Sequence, residues 1–144
     1  MTEKIIQDIK KFNRFYTRHM GLFNIYTDES PYSATEALIL FEISNKKECT
    51  AGYLSNYFLL DKSYISRILK HFERDGLIAK KLSELDRRIQ HIELTDIGEE
   101  ALKTLADKAS NTVQSMIDKI SEEEIEIVVE SMKKIEEILY SKTQ

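Results

Sequence analysis

Along most of this chain apolar residues recur three and four positions apart; in one short stretch they follow a strand-like rhythm instead. Residues 3–24 predict an opening helix, with Ile5, Ile9, Phe12, Phe15 or Tyr16, His19 and Leu22 or Phe23 on one face, and Gly21 and Asn24 placed to end it. Residues 25–32 form a connection punctuated by Pro31. Ser33-Ala34-Thr35-Glu36 is a capping box, in which the serine and the glutamate satisfy each other's orphan amides, and it opens a second helix whose inner face holds Ile39, Leu40 and Ile43. Asn45 to Cys49 closes that unit, and Thr50 is placed to cap a third helix with Leu54 and Phe58 inward. Leu59-Leu60 makes a turn, and Asp61 caps a fourth helix whose stripe is Ile65, Ile68, Leu69 and Phe72.

Gly76 suits the left-handed position past the end of that helix, with Leu77 as the apolar contact that follows. Residues 77–82 and 88–94 read as strands, joined by the charged tip Ser83-Glu84-Leu85-Asp86-Arg87. Thr95 caps a long helix, 95–119, carrying Ile97, Ala101, Leu102, Leu105, Ala109, Val113 and Met116. At about 1.5 Å per residue it would extend roughly 36 Å. Ser121-Glu122-Glu123-Glu124 is a second capping box, opening a last helix marked by Ile125, Val128, Met132, Ile135 and Leu139. The first helix and the last two carry more apolar face than one chain can bury, which implies a partner, most simply a second copy. The fold class expected is mainly α (α+β): a helix-turn-helix followed by a two-stranded wing, flanked by helices at both ends.

Composition changes this picture little, but the placement of charge changes it a good deal. The 144 residues suffice for one domain with a real core, and one Pro and four Gly leave little room for long loops. The formal net charge is −4. Residues 1–60 are balanced, residues 61–92 hold 8 basic against 5 acidic groups, and residues 93–144 hold 6 against 13. The middle is therefore the cationic part, and local field governs steering more than the sum does. A single cysteine excludes an internal disulfide, no apolar run reaches the length of a membrane span, and the charged N-terminus is no signal peptide; the expected location is the cytoplasm.

The polar face of the fourth helix holds Lys62, Ser63, Tyr64, Ser66, Arg67 and Lys70, donors suited to phosphates and base edges. An ordinary amphipathic surface helix would look similar in isolation. A helix, a turn of three or four residues, a second helix and a hairpin wing make the reading specific to DNA. Arg67 is the candidate for a guanine edge, Ser63, Tyr64 and Ser66 for other base contacts, Lys62 and Lys70 for phosphates. At the wing, Arg88 or Arg87 would enter a minor groove with Asp86 orienting the arginine; the plainer reading is a hairpin salt bridge. Lys80 and Lys81 are generic phosphate contacts or simply solvated.

Phe12, Phe15, Tyr16, Tyr26, Tyr32 and Phe41 fall where an aromatic pocket for a small aromatic acid would sit, against the alternative of core and dimer packing. Cys49 is either a redox switch or a buried small residue. His19, His71 and His91 show no metal spacing, and no phosphate loop, nucleophile motif or paired ligand set points to an enzyme, a metal or a cofactor.

Asp75-Gly76-Leu77-Ile78, then Asp86-Arg87-Arg88, then Leu94-Thr95 followed by Gly98, in that order and spacing, resemble the MarR family of bacterial winged-helix regulators, and the resemblance spans nearly the whole chain. It implies a single domain over 1–144, with a winged helix-turn-helix at 33–94 and dimerisation helices at 1–24 and 95–144. It also implies a homodimer whose two winged units read a pseudo-palindrome, with Arg88 at the motif position. Many members repress drug-efflux, stress or catabolic genes and release double-stranded DNA on binding a phenolic ligand or on oxidation. Three departures stand out. Leu59 occupies a turn position that often holds Gly, the first helix has no cysteine near its start, and the sole thiol, Cys49, lies at the helix-turn-helix entrance. The last two argue against peroxide sensing of the family's usual type. A rival from another class is a winged helix used only for protein contact, its acidic C-terminal helices docking a partner.

Overall fold

A computed structural model describes residues 1–21 and 31–143. Among them the order is α1 (Thr2–His19), α2 (Ala34–Asn45), α3 (Ala51–Phe58), α4 (Lys62–Arg74), β1 (Ile78–Leu82), β2 (Gln90–Leu94), α5 (Asp96–Ile117) and α6 (Glu122–Thr143). The chain divides into two compact units, Met1–Ala109 and Ser110–Gln144. The connection expected at 25–32 and the residues Leu22, Phe23, Asn24 and Tyr26 lie outside the described residues, save the stretch from Pro31 onward.

The helix starts follow from their capping residues. Ser33 Oγ accepts from the Glu36 amide at 3.1 Å while Glu36 Oε1 accepts from the Ser33 amide at 2.9 Å. Ser121 and Glu124 repeat the box at 3.1 and 3.2 Å. Thr50 Oγ1 takes the Tyr53 amide at 3.0 Å. Asp61 occupies the cap position of α4 but makes no capping bond, a correction to the sequence reading. Its carboxylate is taken instead by the Ser63 hydroxyl at 2.8 Å.

The end of α4 is a Schellman turn: the Leu77 amide donates to Phe72 O at 2.9 Å, the Gly76 amide to Glu73 O at 3.1 Å, and Gly76 takes φ +77°. From there the chain enters an antiparallel hairpin with Ile78 opposite Leu94 and Leu82 opposite Gln90. The second strand starts at Gln90, two residues later than the sequence pattern predicts. The reason is local: the Arg88 amide is taken by Asp86 Oδ1 at 3.0 Å and the Ile89 amide by Asp86 O at 3.0 Å, so neither enters the ladder.

A single joint ties hairpin, α4 and α5 together. The Thr95 hydroxyl donates to Gly76 O at 2.5 Å and accepts from the Gly98 amide at 3.1 Å, and the Thr95 amide donates to Leu77 O at 2.9 Å. α5 presses so closely on this corner that a Cβ on Gly98 would stand 2.0 Å from Leu77 O. The core enclosed around it holds Ile39, Leu40 and Ile43 of α2, Leu54 of α3, the α4 stripe Ile65, Ile68, Leu69 and Phe72, then Leu77, Ile78, Ile92 and Leu105. By contrast α1 buries no residue, leaving Ile5, Ile9 and Phe12 about half exposed, and α6 leaves Val128, Ile135 and Leu139 similarly open. No described helix is long and apolar enough to cross a membrane.

Candidate nucleic-acid interface

The four-residue stripe of α4 is buried, which turns Lys62, Ser63, Tyr64, Ser66, Arg67 and Lys70 outward together; all six are exposed. Among the described residues Lys62, Arg67 and Lys70 have no carboxylate partner, so their charge faces solvent undiminished. The Arg67 guanidinium lies 5.9 Å from the centre of the Tyr64 ring, a cation–π contact that limits its rotamers without using its donors. Ser63 is already engaged by Asp61, so it presents an acceptor outward more readily than its proton.

The wing carries the second cationic element. Arg88 Nε donates to Asp86 Oδ1 at 3.0 Å and Nη2 to Oδ2 at 3.1 Å, a bidentate pair that holds the Asp86 carboxyl below the usual carboxylate range. The arginine nevertheless remains 90% exposed. It is thus aimed outward and held in one pose, while Arg87 beside it is exposed with no ion pair among the described residues. Lys80 pairs with Glu73 at 3.7 Å and Lys81 with Glu93 at 3.1 Å. These two lysines are paired within the hairpin and to α4, so among the described residues the cations of this region without a carboxylate partner include Lys62, Arg67 and Lys70 of α4 and Arg87 at the wing tip.

Between α3 and α4, Leu59 adopts φ 54°, ψ 42° with its side chain 89% exposed. A leucine therefore holds a left-handed backbone position that favours glycine. Ser55 braces it, donating to Leu60 O at 2.6 Å. Sequence reasoning could not see this, because no residue type there signals φ.

The aromatics divide among different surroundings. Phe12 stacks on Tyr16 at 5.7 Å and Phe15 on His19 at 5.1 Å along α1, whereas Tyr32 meets Phe72 edge-on at 6.2 Å against the core. Phe41 is half-buried, and Tyr26 lies outside the described residues. An open groove of about 460 Å³ runs between the end of α2, β2 and the start of α5; Lys46, Lys47 and Glu99 line it and none of these aromatics does. Cys49 is fully buried, and burial, followed by the Glu42 carboxylate, pushes its thiol up to about 11. No group of three His, Cys, Asp or Glu among the described residues could hold a metal ion.

Comparison with known proteins fits this geometry. A MarR family model matches residues 30–89. Over 135 residues the chain is 24% identical to the HTH-type transcriptional regulator MhqR of Bacillus subtilis strain 168, covering 94% of this chain and 93% of that one. The similarity to MarR family regulators thus covers the winged unit in the family match and nearly the whole chain in this relative. Its fold is similar to that of a MarR family protein from Bacillus stearothermophilus, with a TM-score of 0.82 at 22% identity over 97% of this chain and 99% of that one. It is similar also to Streptococcus pneumoniae FabT, solved in complex with DNA, at a TM-score of 0.73 and 22% identity over 98% and 99%.

These similarities support a DNA-binding transcriptional regulator over a winged helix serving protein contact alone. The motifs that carried the resemblance now have physical causes. Asp75-Gly76-Leu77 is the Schellman exit from α4. Asp86 and Arg88 form the bidentate lock of the wing. Leu94-Thr95 with Gly98 is the corner where α5 meets the hairpin.

Proposed function

We propose that two copies of this chain bind a pseudo-palindromic operator as a homodimer, repress the adjoining genes, and release DNA when a small aromatic effector binds. The observation that carries the DNA reading is the convergence, on one compact unit, of a cation-bearing α4 face and an outward arginine fixed by Asp86. In this reading α4 enters the major groove, where Arg67 meets a guanine edge while Lys62 and Lys70 touch phosphates. Arg88, with Arg87 beside it, reaches the neighbouring minor groove. The open apolar faces of α1 and α6 support self-association through 1–24 and 95–144, which would set two α4 helices about one DNA turn apart, ~34–36 Å. The aromatic effector is assigned to Phe12, Phe15, Tyr16, Tyr26, Tyr32 and Phe41, of which Phe12 and Tyr16 stack along α1 while Tyr32 meets the core. A cytoplasmic location accords with a single cysteine that can form no internal disulfide.

Selection of bound duplexes from random-sequence DNA tests the reading directly. The expected product is an inverted repeat whose half-sites lie one turn apart. Arg67→Ala should then cost roughly 1–3 kcal/mol at one base pair and relax preference there, whereas Lys70→Ala should weaken all sequences alike and flatten the salt dependence by about one unit. Equal losses for selected and scrambled DNA with Arg67→Ala would refute the base contact. A monomer at micromolar concentration in sedimentation would refute the dimer.

A further inference from the structure

We infer that Leu85, at the tip of the wing, is a minor-groove contact in its own right: an apolar side chain that packs against the deoxyribose walls beside the arginines. The inference rests on the DNA reading above and concerns a residue to which that reading gives no role. Between Leu82 and Ile89 the tip reads Ser-Glu-Leu-Asp-Arg-Arg, and Leu85 is its single apolar residue. It is 100% exposed. Exposed leucines are common on protein surfaces, but hairpin tips favour polar and turn-forming residues, and this tip is not loose.

Its backbone is fastened from below. Ser83 is buried, and its hydroxyl accepts from the Leu85 amide and the Asp86 amide, each at 3.3 Å. The Ser83 amide in turn donates to Ile89 O at 2.9 Å, closing the loop. One residue beyond Leu85, the Asp86–Arg88 lock fixes the arginine. The leucine and the arginine are thus presented from one rigid frame, and the entropy of ordering the tip is met within the free protein rather than on binding. A wing that delivers Arg88 to a minor groove necessarily delivers the apex with it. There a leucine has no hydrogen bond to make, and it gains by meeting the sugar C–H surfaces that form the groove walls, as apolar side chains of other minor-groove proteins do. The contact would favour a groove of one width, so that Leu85 reads shape where Arg88 reads potential.

The two contributions separate by their response to salt, because an apolar contact releases no counterions whereas a phosphate or groove arginine does. The probe is a duplex selected by the wild-type protein from random-sequence DNA, titrated from low to physiological salt. Burying about half a leucine corresponds to roughly a fivefold change in affinity. Leu85→Ala should lose about that factor at every salt concentration with the slope of log affinity unchanged, while Arg88→Ala lowers the slope. Because the side chain touches nothing in the free protein, Leu85→Ala should melt with the wild type, and Leu85→Ser should bind as weakly as the alanine variant. Undiminished affinity of Leu85→Ala overturns the inference, and so does a loss that vanishes as salt rises. A wild-type protein that selects no duplex at all would instead overturn the DNA reading.

Discussion

Gly98→Ala is the sharpest test of how the DNA-reading unit is joined to α5. The new Cβ would stand 2.0 Å from Leu77 O, 3.0 Å from Leu77 C and 3.3 Å from Leu77 Cα. An ordinary carbon–oxygen contact needs more than about 3 Å, so α5 and the Leu77 peptide must part by about 1 Å. The obstacle is backbone on both sides, and no flexible side chain can swing away. Leu77 O also accepts the Thr95 amide at 2.9 Å, and Leu77 itself is buried, so the displacement weakens the corner bond and loosens core packing together. Overpacking of this kind, with a buried hydrogen bond lost, costs roughly 3–4 kcal/mol. For a chain of this length that lowers the melting temperature by about 10 °C at fixed protein concentration. The control is Gly52→Ala in α3, where the nearest atom to a new Cβ is Thr50 Oγ1 at 3.9 Å. That variant should be neutral or stabilised by up to ~1 kcal/mol, since alanine is the better helix former. Urea unfolding of both variants decides the matter. If Gly98→Ala unfolds within a few tenths of a kcal/mol of the wild type, the close approach is not as rigid as described.

Further outcomes follow from two other sites. Cys49, raised from 9.0 to about 11, should hold about a hundredfold less thiolate at neutral pH than an ordinary thiol. Iodoacetamide should accordingly modify it at least a hundredfold more slowly than in urea, and peroxide should leave DNA affinity unchanged; rapid native alkylation would reverse that conclusion. By linkage, a raised thiol pKa contributes stability that is complete below about pH 9 and is lost as pH climbs towards 11, measurable as a fall in stability absent from Cys49→Ala. Leu59→Asn should raise stability by up to about 1 kcal/mol, because asparagine tolerates the left-handed backbone at φ 54° and the lost leucine side chain packs on almost nothing. Destabilisation in thermal melts would mean that the leucine is anchored after all.

The stripe Ile65, Ile68, Leu69, Phe72 fixed both the buried and the reading face of α4 from spacing alone, because a helix buries whatever recurs at its own period. Ser33, Thr50, Ser121 and Gly76 were equally legible, since capping and left-handed exits depend on a few adjacent residues. What stayed hidden depended on competition for a single group or on backbone angle. Asp61 had the right residue type at the right position, yet Ser63 claimed its carboxylate. Arg88 looked like strand until Asp86 took its amide. Leu59 gave no sign of a positive φ, and nothing about Gly98 in the sequence reveals a carbonyl 2.0 Å from an absent atom. The proposed aromatic pocket depends on side chains from separate elements, which meet only through tertiary placement that periodicity does not encode.

The backbone bridge from Ile92 to Cys49 O, 2.8 Å long, has a consequence for control. It stitches the returning strand of the wing to the residue just before α3, while Thr95 stitches the same strand's end to the exit of α4. Helix and wing therefore have no hinge between them. In the proposed homodimer, a signal that changed DNA affinity through this unit would carry it bodily, altering the gap between the two copies rather than the grip of either one.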